Sequence, residues 1–378
     1  MSDHGARVFS IDKLIKHPNA DSLSIVYPFG EGGYTVVVRS QDWGVGDLAI
    51  YIQPDSLVPL NREEFDWLRN DGRTPILNDG VEHHLVRVKK LRGTWSFGLL
   101  IKAPAGSFIG ADLADALGII HYEPPAKAVK NNGKSGGKVM PALSEPKPSC
   151  NPPVYDLENL RKNVGVFGDG ELVQITEKIH GANARFVAED RGWFSFSRNG
   201  WWRIALRLGN RVFSWQRTKG FKSIKLDSYY RFMRVGSRTQ WKRPDPSDTW
   251  WRALQSCPQI STFCESHPGR VLYGEVYGDV QDLDYGVPVG EVRFVAFDIL
   301  DTDSGEWLEP REFRAICNRY NIPMVPLMYN GPFSIEQALS LAEGKAVLGG
   351  DHVREGCVVK ALSGRKVFKV VGAGYYAR

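Results

Sequence analysis

The sequence lacks the cysteine pattern and the long apolar run that mark two common classes of protein. Its cysteines are odd in number and no two form a C-x-x-C pair; they are Cys150, Cys257, Cys264, Cys317 and Cys357. This spacing supports neither a disulfide framework nor a zinc site, so we expect reduced thiols. No run of about 18 apolar residues occurs, and the first residues, M-S-D-H-G-A-R, contain no apolar signal segment. We therefore expect a cytoplasmic protein that does not contact a membrane.

Acidic residues are nearly absent between positions 198 and 243, where Asp227 is the only one. The whole chain is only mildly basic, with a net charge of +5. In this stretch arginines and lysines alternate with tryptophans, phenylalanines and tyrosines, a mixture that suits a polyanion whose bases can stack on aromatic rings. The pattern also fits a domain surface whose aromatic residues belong to the core. Both interpretations stay open at this point.

The first part of the chain has the pattern of a small β-barrel. Residues 6–115 contain short apolar or alternating runs, among them R-V-F-S-I, Y-T-V-V-V-R and L-A-I-Y-I-Q, separated by Gly, Pro, Asn and Asp. About five or six such strands fit a small barrel. The phrases H-P-N-A-D-S-L at 17–23 and L-R-G-T-W-S-F-G-L-L at 91–100 resemble those of tRNA-binding OB modules. We therefore predict an OB-fold nucleic-acid-binding domain over residues 1–115.

The composition then changes, which predicts a boundary between two domains. The run E-P-P-A-K-A-V-K-N-N-G-K-S-G-G-K at 123–138 combines Pro, Gly, Ser and Lys without apolar periodicity. Such a composition is typical of a flexible linker, which we place at residues 116–152. A second domain is predicted over residues 153–378, and Y-D-L-E-N-L-R-K-N at 155–163 predicts a short amphipathic helix near its start.

Six short motifs follow one another in the second domain. They are K-I-H-G at 178–181, S-R-N at 197–199, L-Y-G-E-V-Y-G at 272–278, F-V-A-F-D-I at 294–299, E-G-C-V-V-K at 355–360 and R-K-V-F-K at 365–369. Any one of them alone is weak, but their order resembles that of the covalent nucleotidyltransferase superfamily of polynucleotide ligases and capping enzymes. The histidine of K-I-H-G resembles the ATP-dependent RNA ligase 2-like branch, since DNA ligases and capping enzymes usually carry Asp there. An OB module before the transferase domain is similar to the Deinococcus-type nick-sealing RNA ligases.

The resemblance implies a fold, an activity and a set of ligands. The fold class would be α+β, with an N-terminal OB-type β-barrel and a C-terminal nucleotidyltransferase domain built on antiparallel sheets flanked by helices. The enzyme would be an ATP-dependent RNA ligase that seals 3′-OH/5′-phosphate breaks, in particular nicks in duplexes, through lysyl-AMP and RNA-adenylate intermediates. ATP and Mg²⁺ or Mn²⁺ would be its cofactors. Its partner would be RNA splinted by a complementary strand, and the protein would act as a monomer.

Lys178 is the predicted nucleophile. It would attack the α-phosphorus of ATP and expel pyrophosphate, and phosphoryl transfer of this kind depends mainly on positioning and on neutralised charge. Because an ammonium group cannot attack, Lys178 must lose its proton. The neighbouring charges of Lys360, Lys369 and a metal ion would favour the neutral amine, as would burial.

The resemblance also implies roles for the residues around Lys178. Glu177 and the backbone of Ile179 would contact the adenine, Phe297 would stack on it, and Glu275 would accept the ribose hydroxyls. His180 and Asn183 would orient phosphate or ribose groups, Arg198 and Lys369 would contact phosphates, and Lys360 would belong to the ATP-binding site. Glu355, together with Glu275, would bind the metal ion directly or through water.

The sequence departs from the family pattern at its last motif. The family has two lysines two residues apart, which project from one face of a strand. In this chain the first falls at Lys369, but the second falls at Val371. Whether Lys366, Arg378 or no residue replaces the second lysine stays open.

Two other functions compete with the ligase interpretation. One is a DNA ligase or a GTP-dependent capping-type nucleotidyltransferase, against which His180 argues. The other is an RNA-binding protein with an inactive transferase domain. The presence together of Lys178, Glu275, Glu355 and Lys369 favours an active enzyme.

Overall fold

The computed structural model describes residues 5–122, 147–190, 203–208, 211–216, 226–227 and 231–377. The first of these ranges consists of short strands and one helix. The strands are β1 (Arg7–Ser10), β2 (Ile15–Lys16), β3 (Leu23–Val26), β4 (Val36–Arg39), β5 (Leu48–Ile52), β6 (Ser56–Pro59), β7 (Ile76–Asn78), β8 (Val81–Leu85), β9 (Val88–Leu91), β10 (Thr94–Phe97), β11 (Leu99–Lys102) and β12 (Ile120–His121), and the helix is α1 (Ala114–Leu117). Short 3-10 helices occupy Ser40–Asp42 and Glu63–Asp71.

The strands of this region form a barrel around β5. Both β1 and β11 pair with β5 in antiparallel register, while β2, β3 and β4 form a neighbouring meander. The sequence of β5, L-A-I-Y-I, is apolar on both faces, and its residues from Ala49 to Ile52 are buried. A strand that is buried on both faces reads as a continuous apolar run, as here.

The barrel extends beyond its predicted end at residue 115. Leu117 and Ile119 are buried in the barrel core together with Phe65, and β12 pairs with β6. The predicted start of the linker at residue 116 is therefore wrong, because Leu117, on a short helix, and Ile119 complete the core, and β12 adds an edge strand beside β6. Residues 123–146, which include most of the predicted linker, lie outside the described residues.

The second domain contains the remaining strands and helices. They are β13 (Glu158–Asn159), β14 (Leu172–Lys178), β15 (Ala182–Asp190), β16 (Arg203–Leu208), β17 (Arg211–Gln216), β18 (Leu226–Asp227), β19 (Arg231–Ser237), β20 (Trp241–Lys242), α2 (Thr249–Ser256), α3 (Gln259–Ser266), β21 (Arg270–Gly278), β22 (Val292–Asp301), β23 (Glu306–Trp307), α4 (Pro310–Tyr320), β24 (Leu327–Pro332), α5 (Ile335–Leu341), β25 (Gly356–Ala361), β26 (Val367–Val371) and α6 (Ala373–Tyr376). A 3-10 turn spans Leu160–Lys162.

Two large sheets organise this domain. One has the order β13-β26-β25-β14-β24, and the other has the order β20-β19-β15-β21-β22-β23. All their pairings are antiparallel except that of β13 with β26. Helices α2, α3 and α4 cover the six-stranded sheet through a core that includes Phe186, Phe263 and Phe294. The five-stranded sheet packs against α5, whose Ala338 is fully buried.

The start of this domain differs from the prediction in two ways. The segment 155–163 forms β13 and a 3-10 turn rather than a helix, because Glu158 and Asn159 pair with β26. The domain also begins before residue 153, since the Pro152 and Pro153 carbonyls accept hydrogen bonds from Arg185 (3.1 Å) and Tyr273 (2.8 Å). Buried donors need such partners, so these carbonyls belong to the folded domain.

The chain crosses from one sheet to the other between β14 and β15. Only three residues join the two strands, and they include His180 and Gly181 of the K-I-H-G motif. Gly181 is required there because a Cβ atom would lie 2.2 Å from the carbonyl oxygen of Val276. This crossover places Lys178, the last residue of β14, where the two sheets meet.

Candidate active site

A pocket lies at the junction of the two sheets and contains most of the predicted site residues. Its lining includes Glu177, Lys178, Ile179, Asn183, Glu275, Phe297, Lys360 and Lys369. Two predicted residues, His180 and Glu355, adjoin this lining through contacts described below. Arg198 lies outside the described residues, as does much of the basic stretch 198–243.

Lys178 makes an ion pair at the pocket. Its Nζ lies 2.7 Å from Oε1 of Glu355. The two residues meet because Lys178 on β14 pairs in register with Gly356, the first residue of β25, which directly follows Glu355. Glu355 is buried, and its Oε2 makes no hydrogen bond to any of the described residues. One oxygen of this carboxylate therefore binds the lysine and the other is available to a ligand.

The two carboxyl groups beside Lys178 differ in their ionisation. Burial raises the pKa of Glu275 to about 8, although the charge of Lys178 opposes the shift. Burial also acts to raise the pKa of Glu355, but the nearby charge of Lys178 and the neighbouring His180 outweigh it, so that this pKa is lowered. Glu355 therefore carries a full negative charge at neutral pH in the free protein, whereas Glu275 is largely protonated.

Lys369 is the second lysine of the pocket. It lies on β26, opposite Val358 of β25. Burial lowers the pKa of Lys369, and the neighbouring positive charge of Lys178 lowers it further. Like charges that face one pocket disfavour each other unless an anion lies between them. The pair therefore suits a bound phosphate.

Lys360 has hydrogen-bond partners that the sequence did not show. Its Nζ donates to Oδ2 of Asp298 (2.8 Å) and to the carbonyl oxygen of Phe297 (3.2 Å). Arg365 and the Tyr155 hydroxyl donate to the same Asp298 oxygen, at 2.7 Å and 2.9 Å. The buried Asp298 carboxylate is thus shared by two cations, Lys360 and Arg365, and the effect of Lys360 on the protonation of Lys178 stays a prediction. Lys360 also ties β25 to the strand that carries Phe297.

Glu177 has backbone partners that the sequence did not show. Its side chain is almost fully buried, and its carboxylate accepts the backbone N–H groups of Val347 and Leu348, with distances of 3.0 Å and 2.8 Å to Oε2. Burial raises the pKa of Glu177, which these two hydrogen bonds oppose. The carboxylate therefore fixes the segment around Val347 to the end of β14. The predicted contact with adenine would have to use its remaining lone pairs or the backbone.

His180 is held by contacts on both ring nitrogens. Nε2 lies 2.7 Å from Oδ1 of Asp282, and Nδ1 lies 3.1 Å from the Tyr375 hydroxyl. Nδ1 is also 3.7 Å from Oε2 of Glu355. The backbone N–H of His180 donates to the Tyr285 hydroxyl (2.7 Å). The imidazole is thus fixed next to the Lys178–Glu355 pair.

An apolar wall and an amide complete the pocket. Phe297 is half-buried and packs against Tyr155, with ring centroids 4.7 Å apart. Val325 and Val358 also line the pocket. Oδ1 of Asn183 is buried and has no hydrogen-bond partner among the described residues. A buried amide oxygen without a partner is costly, and it indicates a place for a hydrogen-bonding ligand.

Comparison with known protein families explains this arrangement. The family model described as RNA ligase matches residues 171–371, more than half of the chain, and an OB-fold domain model matches residues 6–103. The chain belongs to the RNA ligase family. The matched residues include Lys178, Glu275, Glu355 and Lys369, and the predicted fold class, with an OB barrel before a nucleotidyltransferase domain, is confirmed.

Solved structures of an RNA ligase from Naegleria gruberi share the fold over both domains. A lysine-to-alanine variant with ATP and Mn has a TM-score of 0.71 at 20% identity, and each chain is covered to 98%. A glutamate-to-alanine variant with AMP and Mn has a TM-score of 0.72 at 20% identity, covering 99% of this chain and 98% of the other. The enzyme with pyrophosphate has a TM-score of 0.71 at the same identity and the same coverage. No curated protein matches the chain, and no helix in the described ranges is long and apolar enough to cross a membrane.

The RNA ligase site contains residues that the sequence did not single out. Asp298 follows Phe297 within the F-V-A-F-D-I motif, so the sequence shows its position but not its partners. Arg238 lines the pocket and pairs with Asp156 (2.8 Å), and it belongs to the basic stretch. Asp282 and Tyr375 belong to none of the motifs, and only the fold brings them into contact with His180.

The missing second lysine of the last motif has no replacement at Lys366. Val371 lies on the same strand face as Lys369 and is buried. Lys366 precedes β26, and its Nζ pairs with Glu171 (2.9 Å), while Arg378 lies outside the described residues. Arg238, which acts electrostatically on Lys369 and Glu275, is a cation on the described part of the pocket wall that can share this role.

Proposed function

We propose that this RNA ligase uses ATP to seal 3′-OH/5′-phosphate breaks, in particular nicks in duplexes, through lysyl-AMP and RNA-adenylate intermediates. The observation that carries the proposal is the position of Lys178, which faces Glu355, Glu275 and Lys369 in a pocket with an apolar wall. Lys178 Nζ would attack the α-phosphorus of ATP as the bond to pyrophosphate breaks. Glu355 Oε1 lies within hydrogen-bonding distance of Lys178 Nζ and would accept the proton that the amine must lose.

The pocket offers each part of ATP a matching surface. Phe297 and Val358 would hold the adenine between apolar groups. Asn183 and Glu275 provide hydrogen-bonding groups for the ribose and phosphate oxygens. Lys369 and Arg238 would neutralise phosphate charge, and in the transition state such preorganised charges contribute more than contacts with the ground state.

The carboxylates also fit a divalent cation. No group of three or more His, Cys, Asp or Glu side chains within the described ranges forms a protein-only metal cluster. Magnesium usually retains several waters and binds one or two carboxylates together with substrate phosphates. The free Oε2 of Glu355 and the carboxyl group of Glu275 supply that donor set. A bound Mg²⁺ or Mn²⁺ would screen the charge of the ATP phosphates.

The surface of the OB barrel has a groove that favours an RNA substrate. The groove is lined by Arg39, Trp43, Trp67, Arg87, Lys89 and Lys102. Trp67 is 57% exposed, and Lys102 Nζ lies 4.2 Å above the Trp43 ring. Exposed aromatic rings between cations suit a strand whose bases stack and whose phosphates bind lysine or arginine. We propose that this groove binds RNA beside the break, and that the chain belongs to the Deinococcus-type branch, in which an OB module precedes the transferase domain.

The test is a sealing assay on nicked duplexes with α-labelled nucleotide. ATP should label the protein, and an RNA strand on the 3′-OH side should be sealed faster than a DNA strand, because the 2′-hydroxyl distinguishes the two sugars. Equal sealing of RNA and DNA would favour a DNA ligase. Label from GTP but not from ATP would indicate capping chemistry, and no label from either would indicate an inactive transferase domain.

A further inference from the structure

Two adjacent tyrosines of the last helix contact different domains. Tyr375 of α6 contacts His180 of the active site, with its hydroxyl 3.1 Å from Nδ1 and the ring centroids 5.4 Å apart. Tyr376 packs against Phe97 of the OB barrel, at 6.2 Å between centroids and nearly perpendicular. Helix α6 therefore joins the barrel to His180, which lies beside the Lys178–Glu355 pair.

The barrel holds Tyr376 in a buried aromatic cluster. The Tyr34 hydroxyl accepts a hydrogen bond from Nδ2 of Asn159 (2.8 Å), and Tyr376 packs against the buried core that contains Tyr34. Ala373 of α6 is buried in the same core as Tyr34 and Phe97. A buried cluster of this kind resists rearrangement, because interiors pack tightly. The position of α6 thus depends on the docked barrel.

The transferase domain fixes the other side of α6. The Glu343 carboxylate accepts the N–H groups of Ala373 (2.6 Å) and Gly374 (3.1 Å). The N–H of Gly372, just before the helix, donates to the carbonyl oxygen of Glu355 (2.9 Å). The helix therefore has little freedom to move without disturbing the backbone at Glu355.

The contact of Tyr375 sets the orientation of His180. Asp282 can only accept when it is ionised, so Nε2 of His180 donates to it, and in the tautomer that carries its proton on Nε2 the other ring nitrogen, Nδ1, is an acceptor. The Tyr375 hydroxyl then donates to Nδ1. These two hydrogen bonds hold the ring in one plane and one tautomer beside Glu355.

We propose that Tyr375 is a positioning residue for adenylylation and that the docked OB barrel acts on the active site through Tyr376 and Tyr375. The inference rests on the proposed ligase function and adds a route by which a nucleic-acid-binding domain affects the nucleotide step. The coupling runs from the barrel to the active site: loosening the barrel contact displaces α6, and displacement of α6 releases His180.

Single-turnover formation of protein–AMP by the full chain tests the proposal. Tyr375→Phe removes one hydroxyl and should lower the maximal rate roughly tenfold, as expected for a small misplacement of a group beside the chemistry, while the ATP concentration for half-maximal rate stays the same. Tyr34→Ala, in the barrel, should lower the same maximal rate. The double variant should be no slower than the slower single variant, because both changes act through one contact.

Controls separate this inference from the proposed function. Phe108→Ala truncates an aromatic residue of the same barrel that is 72% exposed, and it should leave the rate unchanged. If the wild-type chain takes no AMP, the proposed function fails. If the wild type is labelled and Tyr375→Phe reacts at the wild-type rate, the inference alone fails.

A spectroscopic measurement covers the case in which a variant is slow for other reasons. In the histidine-labelled full chain, the Nδ1 resonance of His180 should shift in Tyr375→Phe and also in Tyr34→Ala. A His180 resonance that is unchanged in a folded Tyr34→Ala protein would overturn the coupling.

Discussion

The nucleotide pocket and the barrel groove both combine cations with aromatic rings, but they differ in how the charges are held. In the pocket, Lys178, Glu355 and Lys369 are buried or half-buried, and their ionisation depends on one another. In the groove, Trp67 is exposed, and Lys102 pairs with a partly exposed Asp47 (2.6 Å). Exposed pairs contribute little and respond to salt, whereas buried charges fix one geometry. The first arrangement suits chemistry at one atom, and the second suits binding that tolerates many sequences.

Removing the nucleophile should have the largest effect and would define the pocket as the chemical site. Lys178→Ala and Lys178→Arg should both abolish protein–AMP formation, since arginine keeps its proton and cannot attack. Intact-protein mass spectrometry after incubation with ATP and Mg²⁺ measures the adduct. An AMP adduct on either variant would show that another residue is the nucleophile.

Within the pocket, catalysis and binding should be separable. Glu355→Ala removes the ion pair of Lys178 and should lower the maximal rate of adenylylation at saturating ATP by roughly a hundredfold or more. Phe297→Ala should lose a stacking contact of about 1 kcal/mol, which corresponds to roughly fivefold weaker ATP binding. Rates measured over a range of ATP concentrations distinguish the two. A defect of Glu355→Ala confined to ATP affinity would contradict its assigned role.

Substitutions in the barrel groove should weaken RNA binding without affecting the nucleotide step. Replacing Trp67 and Arg87 together by alanine should weaken RNA binding several-fold while protein–AMP formation stays at the wild-type rate. The RNA affinity of the variant should also fall less steeply with salt, because it makes fewer phosphate contacts. Fluorescence anisotropy with a labelled nicked duplex over a salt series measures both properties. Wild-type affinity in the variant would remove the groove from the RNA-binding surface.

The smallest expected effect concerns the protonated carboxyl group of the pocket. The pKa of Glu275 is raised from 4.5 to about 8 in the folded protein. The folded state therefore binds more protons than the unfolded state in this interval, so Glu275 makes the protein less stable as pH rises through it. Glu275→Gln should flatten this part of the pH dependence of the unfolding temperature. Parallel curves for wild type and variant would show that Glu275 is not shifted.

Sequence reasoning found the pocket but not its internal partners. Motif order pointed to Lys178 at the end of β14 and to Glu275, Phe297 and Lys369 within β21, β22 and β26, and the packing of these strands brings the four residues to one pocket. It did not show the partner of Lys360, since nothing in a linear motif indicates that Asp298 from the other sheet accepts its hydrogen bond. The contact of Tyr375 with His180 was equally invisible, because residues separated so far in the chain meet only through tertiary packing.

Domain boundaries were the other weak point. The barrel extends past residue 115 because Leu117 and Ile119 complete its core, and the linker-like composition begins only at Glu123. The segment 155–163 has helical spacing but forms a strand, since Asn159 pairs with Lys369 and hydrogen-bonds Tyr34. In the segment 155–163 a long-range pairing outweighs local propensity.

The most direct test of the account follows AMP from protein to RNA in the full chain. The protein is incubated with α-labelled ATP and Mg²⁺, freed of nucleotide, and then given a duplex with a 3′-OH/5′-phosphate nick and no further ATP. The account predicts that label appears on Lys178, passes to the 5′-phosphate of the RNA and leaves as AMP as the nick is sealed. Label that stays on the protein while the nick remains open, or sealing by the Lys178→Ala variant supplied with ATP, would contradict it.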